Sequence, residues 1–234
     1  MSLGTDGGLE HPSSMGPLRP ELPVWELLGR TLLVAVGHIL IVPSPWTSTS
    51  FYRFLCEHIA LPDGRRLKFT GQPGDIWYVF IALSAVGWIH PILDHSGLSR
   101  SFGLAMTVAT WALMVPVIQW FCANVKPDDG RLSLAYNGGY WAYIGWNILL
   151  IVSFVTIVGW AWVLKFMMRW LCRNVHGTIC FDFTATGLDI LWRTVVFLLA
   201  SVLVIPIPWA MQWYANWVVS RISVVTAAGT GPAA

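Results

Sequence analysis

Gly159-Trp-Ala-Trp-Val-Leu-Lys-Phe-Met-Met-Arg-Trp-Leu-Cys-Arg-Asn-Val175 is followed by Ile179-Cys-Phe-Asp-Phe-Thr-Ala-Thr-Gly-Leu-Asp-Ile-Leu-Trp-Arg-Thr194. An apolar run then closes on Ile205-Pro-Ile-Pro-Trp209. The parts of this stretch recur upstream. Glu26-Leu-Leu-Gly-Arg30-Thr31 matches Asp189-Ile-Leu-Trp-Arg193-Thr194, Asp75-Ile-Trp is a third version, and Tyr140-Trp-Ala-Tyr-Ile-Gly-Trp146 a looser fourth. An acidic residue opens three of these segments, where it suits the positive end of a helix dipole. Val42-Pro43-Ser-Pro45-Trp46 matches the Pro206-Pro208 break, and Val158-Gly159-Trp160 holds the same place in the third copy. The acidic start and the proline stand equally far apart in the first and last copies (43 − 26 = 206 − 189 = 17).

After each break an aromatic segment closes on a cysteine motif: Arg53-Phe-Leu-Cys56, Gln119-Trp-Phe-Cys122 and Arg169-Trp-Leu-Cys172. Gln212-Trp-Tyr-Ala-Asn216 keeps the place without the cysteine. Short runs of period-two alternation follow at 65–69, 131–134, 179–183 and 221–224, and these predict strands. Pro127-Asp128-Asp129-Gly130 is a turn leading into the second. Four repeats result, at 24–70, 71–136, 137–184 and 185–225. They lie between a tail at 1–23, rich in Gly, Pro and Ser, and a tail at 226–234.

Composition points to lipid. The 234 residues are 56% hydrophobic and 11% charged, with 15 tryptophans. A soluble domain usually carries about a quarter charged residues, and Trp collects where apolar helices meet headgroups. The runs at 102–125, 144–164 and 194–220 reach the roughly 20 residues a spanning helix needs. A net charge of +2 provides no basic face for nucleic acid. If every repeat is a hairpin, thirteen of the fourteen Lys and Arg residues fall on one side, with Arg100 opposite. That asymmetry favours hairpins over kinked single crossings. The expected fold is therefore an all-α integral membrane protein of about four repeated helical hairpins joined by short cytoplasmic strands, with both termini cytoplasmic.

At Gly159-Trp160-Ala-Trp162, Arg169-Trp-Leu-Cys172-Arg-Asn174, Phe181-Asp-Phe183, Ile190-Leu-Trp192-Arg193 and Ile205-Pro206-Ile-Pro208-Trp209 the chain resembles the YjgN-like family, clearest over 140–222. The resemblance implies a multi-pass protein of the bacterial inner membrane and no particular reaction.

Candidate sites are sparse. Cys56, Cys122 and Cys172 hold cognate positions and could meet, with His58 and His176, in a soft metal site. No pair has metal-ligand spacing, so packing of a small apolar residue at a helix end is the plainer reading. No metal and no cofactor are expected. Cys180 has no cognate. Trp46, Trp160 and Trp209 are expected to anchor the breaks at a membrane interface. His38, Asn147 and Ser201, with Ser153 and Thr156, are the polar residues that could line a path through the bilayer. Asp189 with Arg193, and Glu26 with Arg30, stand four apart and could pair. His90, Asp94 and His95 could bind a cation. No nucleophile–base set or phosphate loop is present, so no enzyme is expected. The expected role is an accessory or scaffolding subunit of a larger inner-membrane assembly, or a homo-oligomer, with the bilayer and another membrane protein as partners. The alternatives are a channel or small-solute transporter, and a membrane-shaping or lipid-sensing protein.

Overall fold

The computed structural model describes residues 14–95, 100–127 and 133–226. Residues 1–13 and 227–234 of the expected tails, the turn at 128–130, Arg131 and the side chains of His90, Asp94, His95 and Arg100 lie outside the described residues. The expectations placed on them, the cation site included, lie there too.

The chain repeats a strand–helix–helix–strand unit. The first is β2 (Arg19–Pro20), α1 (Val24–Leu40), α2 (Ser44–Glu57) and β3 (Ile59–Ala60), preceded by β1 (Ser14–Pro17). The second is β4 (Leu67–Phe69), α3 (Trp77–His95), α4 (Arg100–Asn124) and β5 (Val125–Pro127). The third is β6 (Leu134–Tyr136), α5 (Tyr140–Ser153), α6 (Gly159–Arg173) and β7 (Val175–Gly177). The fourth is β8 (Ile179–Phe183), α7 (Gly187–Val202), α8 (Ile207–Ser220) and β9 (Ile222–Thr226). In every unit the strand entering the helix pair lies antiparallel to the strand leaving it. Arg19 faces Ala60, Phe69 faces Val125, Tyr136 faces Val175 and Phe183 faces Ile222.

This corrects the all-α expectation and the placing of the strands. Each helix pair returns the chain to its starting end, so the two flanking strands meet and close a ribbon within the unit. No common sheet forms from one strand per repeat. In the second unit α3 runs to His95 and α4 begins at Arg100.

Each helix packs on the next in sequence and α8 packs against α1, so the eight close into a ring. β1 adds to β9, joining the N-terminal end to the last strand, with Gly16 opposite Val224. The main core lies at the strand-bearing end, which we call the base. Leu67, Phe69, Leu134, Tyr136, Ile179 and Val224 point inward from the ribbons onto Val115, Trp120 and Met167 of the helices. In β4, β5 and β6 buried and exposed residues alternate, as a ribbon with one covered face requires.

The multi-pass reading fails on helix length. Among the described residues one helix segment, Phe102–Asn124 in α4, is long and apolar enough to cross a membrane. The run at 144–164 is split by a short 3-10 turn at Phe154–Thr156, and that at 194–220 is split between Val202 and Ile207. At 1.5 Å per residue, helices of 14 to 17 residues extend roughly 21–26 Å, short of a hydrocarbon core of about 30 Å. Inclination shortens them further. Trp209, in the first turn of α8, meets Trp25, in the first turn of α1, edge to face at 5.6 Å. The start of one helix pair thus lies beside the far end of its neighbour. The assignment to the bacterial inner membrane as a multi-pass protein, with termini and strands cytoplasmic, falls with the spans.

Candidate lipid-contacting site

Three of the helix pairs reverse direction in the same way. Ile41, Ile157 and Val204 have φ of 65°, 62° and 59°. Across each, the following N–H donates to the preceding carbonyl: Val42 to Leu40 at 2.7 Å, Val158 to Thr156 at 2.7 Å and Ile205 to Leu203 at 2.6 Å. With ψ of −64° at Ile41 and −45° at Ile157, these are γ-turns of the rarer, strained hand. The three residues hold cognate places, two before Pro43, Gly159 and Pro206. The reversal of the remaining pair falls at 96–99, outside the described residues.

A positive φ is unusual for any side chain and worst for a β-branched one, and Gly or Asn normally takes such a place. Among the described residues these three are the only non-glycines that adopt it. Each costs of order 1–3 kcal/mol. Ile157 and Val204 are also turned outward, while Ile41 is half-buried. Val155 is 85% exposed, and Ile157 and Ile205 are each 81% exposed. In water, strain and apolar exposure are both unfavourable. Against hydrocarbon an Ile or Val side chain recovers about 1.5–3 kcal/mol, enough to offset the strain.

Polar groups at the turns are satisfied from within, as a lipid environment demands. Prolines at 43, 45, 206 and 208 remove N–H groups from the starts of α2 and α8, where helices leave donors unpaired. Ser44 Oγ donates to Ile41 O at 2.7 Å, Thr156 Oγ1 donates to Ser153 O at 2.6 Å, and Gly159 N–H donates to Thr156 Oγ1 at 3.1 Å. The apolar surface continues from the turns down the outer flanks, through Leu33 and Val36 of α1, Leu149 and Val152 of α5, and Val195 and Leu199 of α7. Contiguous apolar exposure on this scale marks a surface that meets something other than water.

The tryptophans expected at the breaks are near these turns. Trp46 and Trp209 are exposed, whereas Trp160 is partly covered by stacking on Phe154 with centroids 5.8 Å apart. The polar candidates are not assembled into a path. Asn147 Nδ2 donates to Tyr143 O at 2.8 Å and Ser201 Oγ to Phe197 O at 2.8 Å, each within its own helix. His38 ties three helices together. Its Nδ1 is 2.7 Å from Ser84 Oγ in α3 and its Nε2 is 3.4 Å from Ser48 Oγ in α2. Beside it Gly37 allows α1 and Thr47 of α2 to approach closely, leaving no room for a Cβ.

The helix-start pairs take other partners. Asp189 caps α7 in a reciprocal box with Thr186, whose Oγ1 donates to the carboxylate at 2.7 Å. That bond holds the Asp189 carboxyl below its ordinary value, with smaller help from the Thr186 N–H and Arg221. Arg193 lies among Trp192, Trp213 and Trp217, 4.6–5.1 Å from their ring centres, a strong arrangement for a desolvated cation. Arg30 donates to Ser50 and lies 5.8 Å from the centre of the Phe54 ring.

Cys56, Cys122 and Cys172 line one partly open cavity of about 350 Å³ at the base of the ring. Burial pushes the Cys56 and Cys172 thiols up to about 12, so they remain protonated, a poor state for a metal ligand. His58 is bonded to Phe54 O and His176 to Asn174 O. Among the described residues no three His, Cys, Asp or Glu side chains are grouped to hold a metal ion. Cys180 is in β8, half-buried.

The γ-turns escaped the sequence reading. Their signal was the β-branched pair before each break: Ile41-Val42, Ile157-Val158 and Val204-Ile205. Comparison with known proteins returned no matching family model, no matching curated protein and no matching solved structure.

Proposed function

We propose that the protein docks on a lipid bilayer and seats its helix-pair turns in one leaflet, acting as a lipid-sensing or membrane-shaping wedge. The observation that carries this reading is the set of strained γ-turns centred on Ile41, Ile157 and Val204. A turn selected for water would place Gly or Asn there. Hydrocarbon reverses the preference, because the exposed β-branched side chains then contribute binding energy. Short, inclined helices suit such insertion, since they enter from one side and leave on the same side. The base carries paired strands and most of the described charge, including Arg66, Lys126 and Arg173, which suits contact with headgroups and water.

The test is flotation of the full chain with phosphatidylcholine–phosphatidylglycerol vesicles in the absence of detergent. Wild type is expected to float with the vesicles. Ile157→Asp and Val204→Asp should each weaken binding about sixty- to three-hundredfold, following the roughly 2.5–3.5 kcal/mol that a carboxylate costs deep in a bilayer. Arg66→Ala at the base should change it less than about threefold, as the loss of one surface cation does. Flotation that is indifferent to both turn substitutions would sink the reading.

A further inference from the structure

The base of the ring holds a space that the docking proposal does not use. We infer that the open apolar cavity lined there by all four units is a binding site for one unbranched hydrocarbon chain. At about 350 Å³ it falls within the range of small-ligand sites. Its walls come from the ends of α2, α4, α6 and α8 and from the ribbons. Cys56, Phe121, Cys122, Cys172 and Phe181 are typical of them, and every lining side chain ends in carbon or sulfur except that of Tyr136.

A water molecule needs two to four polar partners to stay in such a space, and these walls do not provide them. Left dry, the lining forfeits dispersion contacts on its open side. A compact polar ligand is also excluded, since such sites depend on several converging polar groups. A flexible apolar chain meets both conditions. The small thiols keep the space open at three of the four cognate positions, where a Leu or Phe would fill it. Tyr136 presents only its ring to the cavity, because its hydroxyl is buried against Gly138.

The chain could belong to a free fatty acid or to a phospholipid, and the test separates them. The full protein, held in amphipol so that the result does not depend on bilayer docking, is equilibrated with diazirine-bearing palmitic acid. In a parallel sample the probe is phosphatidylcholine carrying a diazirine acyl chain. Each sample is irradiated and the adducts are located by peptide mass spectrometry. Adducts are expected on the peptides containing Cys122 and Cys172, reduced at least fivefold by excess palmitate and at least tenfold by Cys172→Trp. Val219→Phe, which narrows the space from α8, guards against a misfolded first variant. Labelling by the acid alone assigns a fatty acid, and labelling by the phospholipid assigns a lipid chain. Adducts confined to the outer flank around Leu198 and Val202, or lining adducts indifferent to both filling variants, overturn the inference. Failure of docking is read separately, by vesicle flotation.

Discussion

The two ends of each helix pair follow opposite rules. At the base, backbone groups are paired in ribbons, Phe183 and Val224 are almost wholly buried, and Asp189 and Thr186 cap α7 reciprocally. At the turns the backbone is strained at Ile41, Ile157 and Val204, and Val155, Ile157 and Ile205 are largely exposed. The base resembles the interior of any folded domain. On the docking proposed above, the turns meet a second apolar medium. Strain alone marks a functional place, and exposure alone is ordinary on a protein surface. Their coincidence at Ile157 and Val204 sets these turns apart from the folding core.

The contrast is broken most severely by emptying the base. Phe183 is 2% exposed and packs with Ile190 and Trp217. Phe183→Ala should cost about 3–5 kcal/mol, the usual range for a fully buried Phe. The midpoint of denaturant unfolding measures it. A loss below about 1 kcal/mol would mean that the base is not the core.

A sharper experiment moves the two properties in opposite directions. Ile157→Gly relieves a positive φ that Gly adopts freely, so the isolated chain should gain about 1 kcal/mol. The same change removes a lipid-facing side chain, so vesicle affinity should fall about tenfold. Stability and binding, measured on one variant, must therefore separate. Parallel changes in both would show that Ile157 serves the fold alone.

The smallest effect is electrostatic and belongs to the base. Thr186→Ala removes a helix cap and should cost about 1 kcal/mol. Asp75, which accepts from Trp120 Nε1 at 3.0 Å and from Gln72 N–H at 2.8 Å, is held below its ordinary value of 3.8 chiefly by the Trp120 bond. Asp189 is shifted in the same direction. A depressed folded-state value contributes stability that is complete above the ordinary value and lost as pH falls through the folded one. Thermal unfolding should therefore be steady from neutral pH down to about pH 4–5 and decline below that, with a shallower decline in Asp75→Asn.

Parts of this architecture were legible along the chain. Pro43, Gly159 and Pro206 mark where one helix yields to the next, because proline cannot continue a helix and is tolerated in the first turn of another. The acidic residue opening α7 is read from its neighbours, since capping involves residues three apart. Other parts were misread. The run at 194–220 contains residues enough to span a membrane, and composition does not reveal that the backbone reverses at Val204. The strands were expected to join one repeat to the next, and they pair within units.

The sequence by itself determined where helices start and break, which residues are apolar and where the cysteines recur, because these follow from local sterics and composition. Only the tertiary structure decided that the helices are short and inclined and that each unit closes its own ribbon. It also decided that α8 meets α1 and that three thiols separated by 66 and 50 residues (122 − 56 = 66; 172 − 122 = 50) line one space. The reason is physical: pairing and ring closure depend on contacts between distant segments, whose loop-closure cost and packing gain no single stretch of sequence contains.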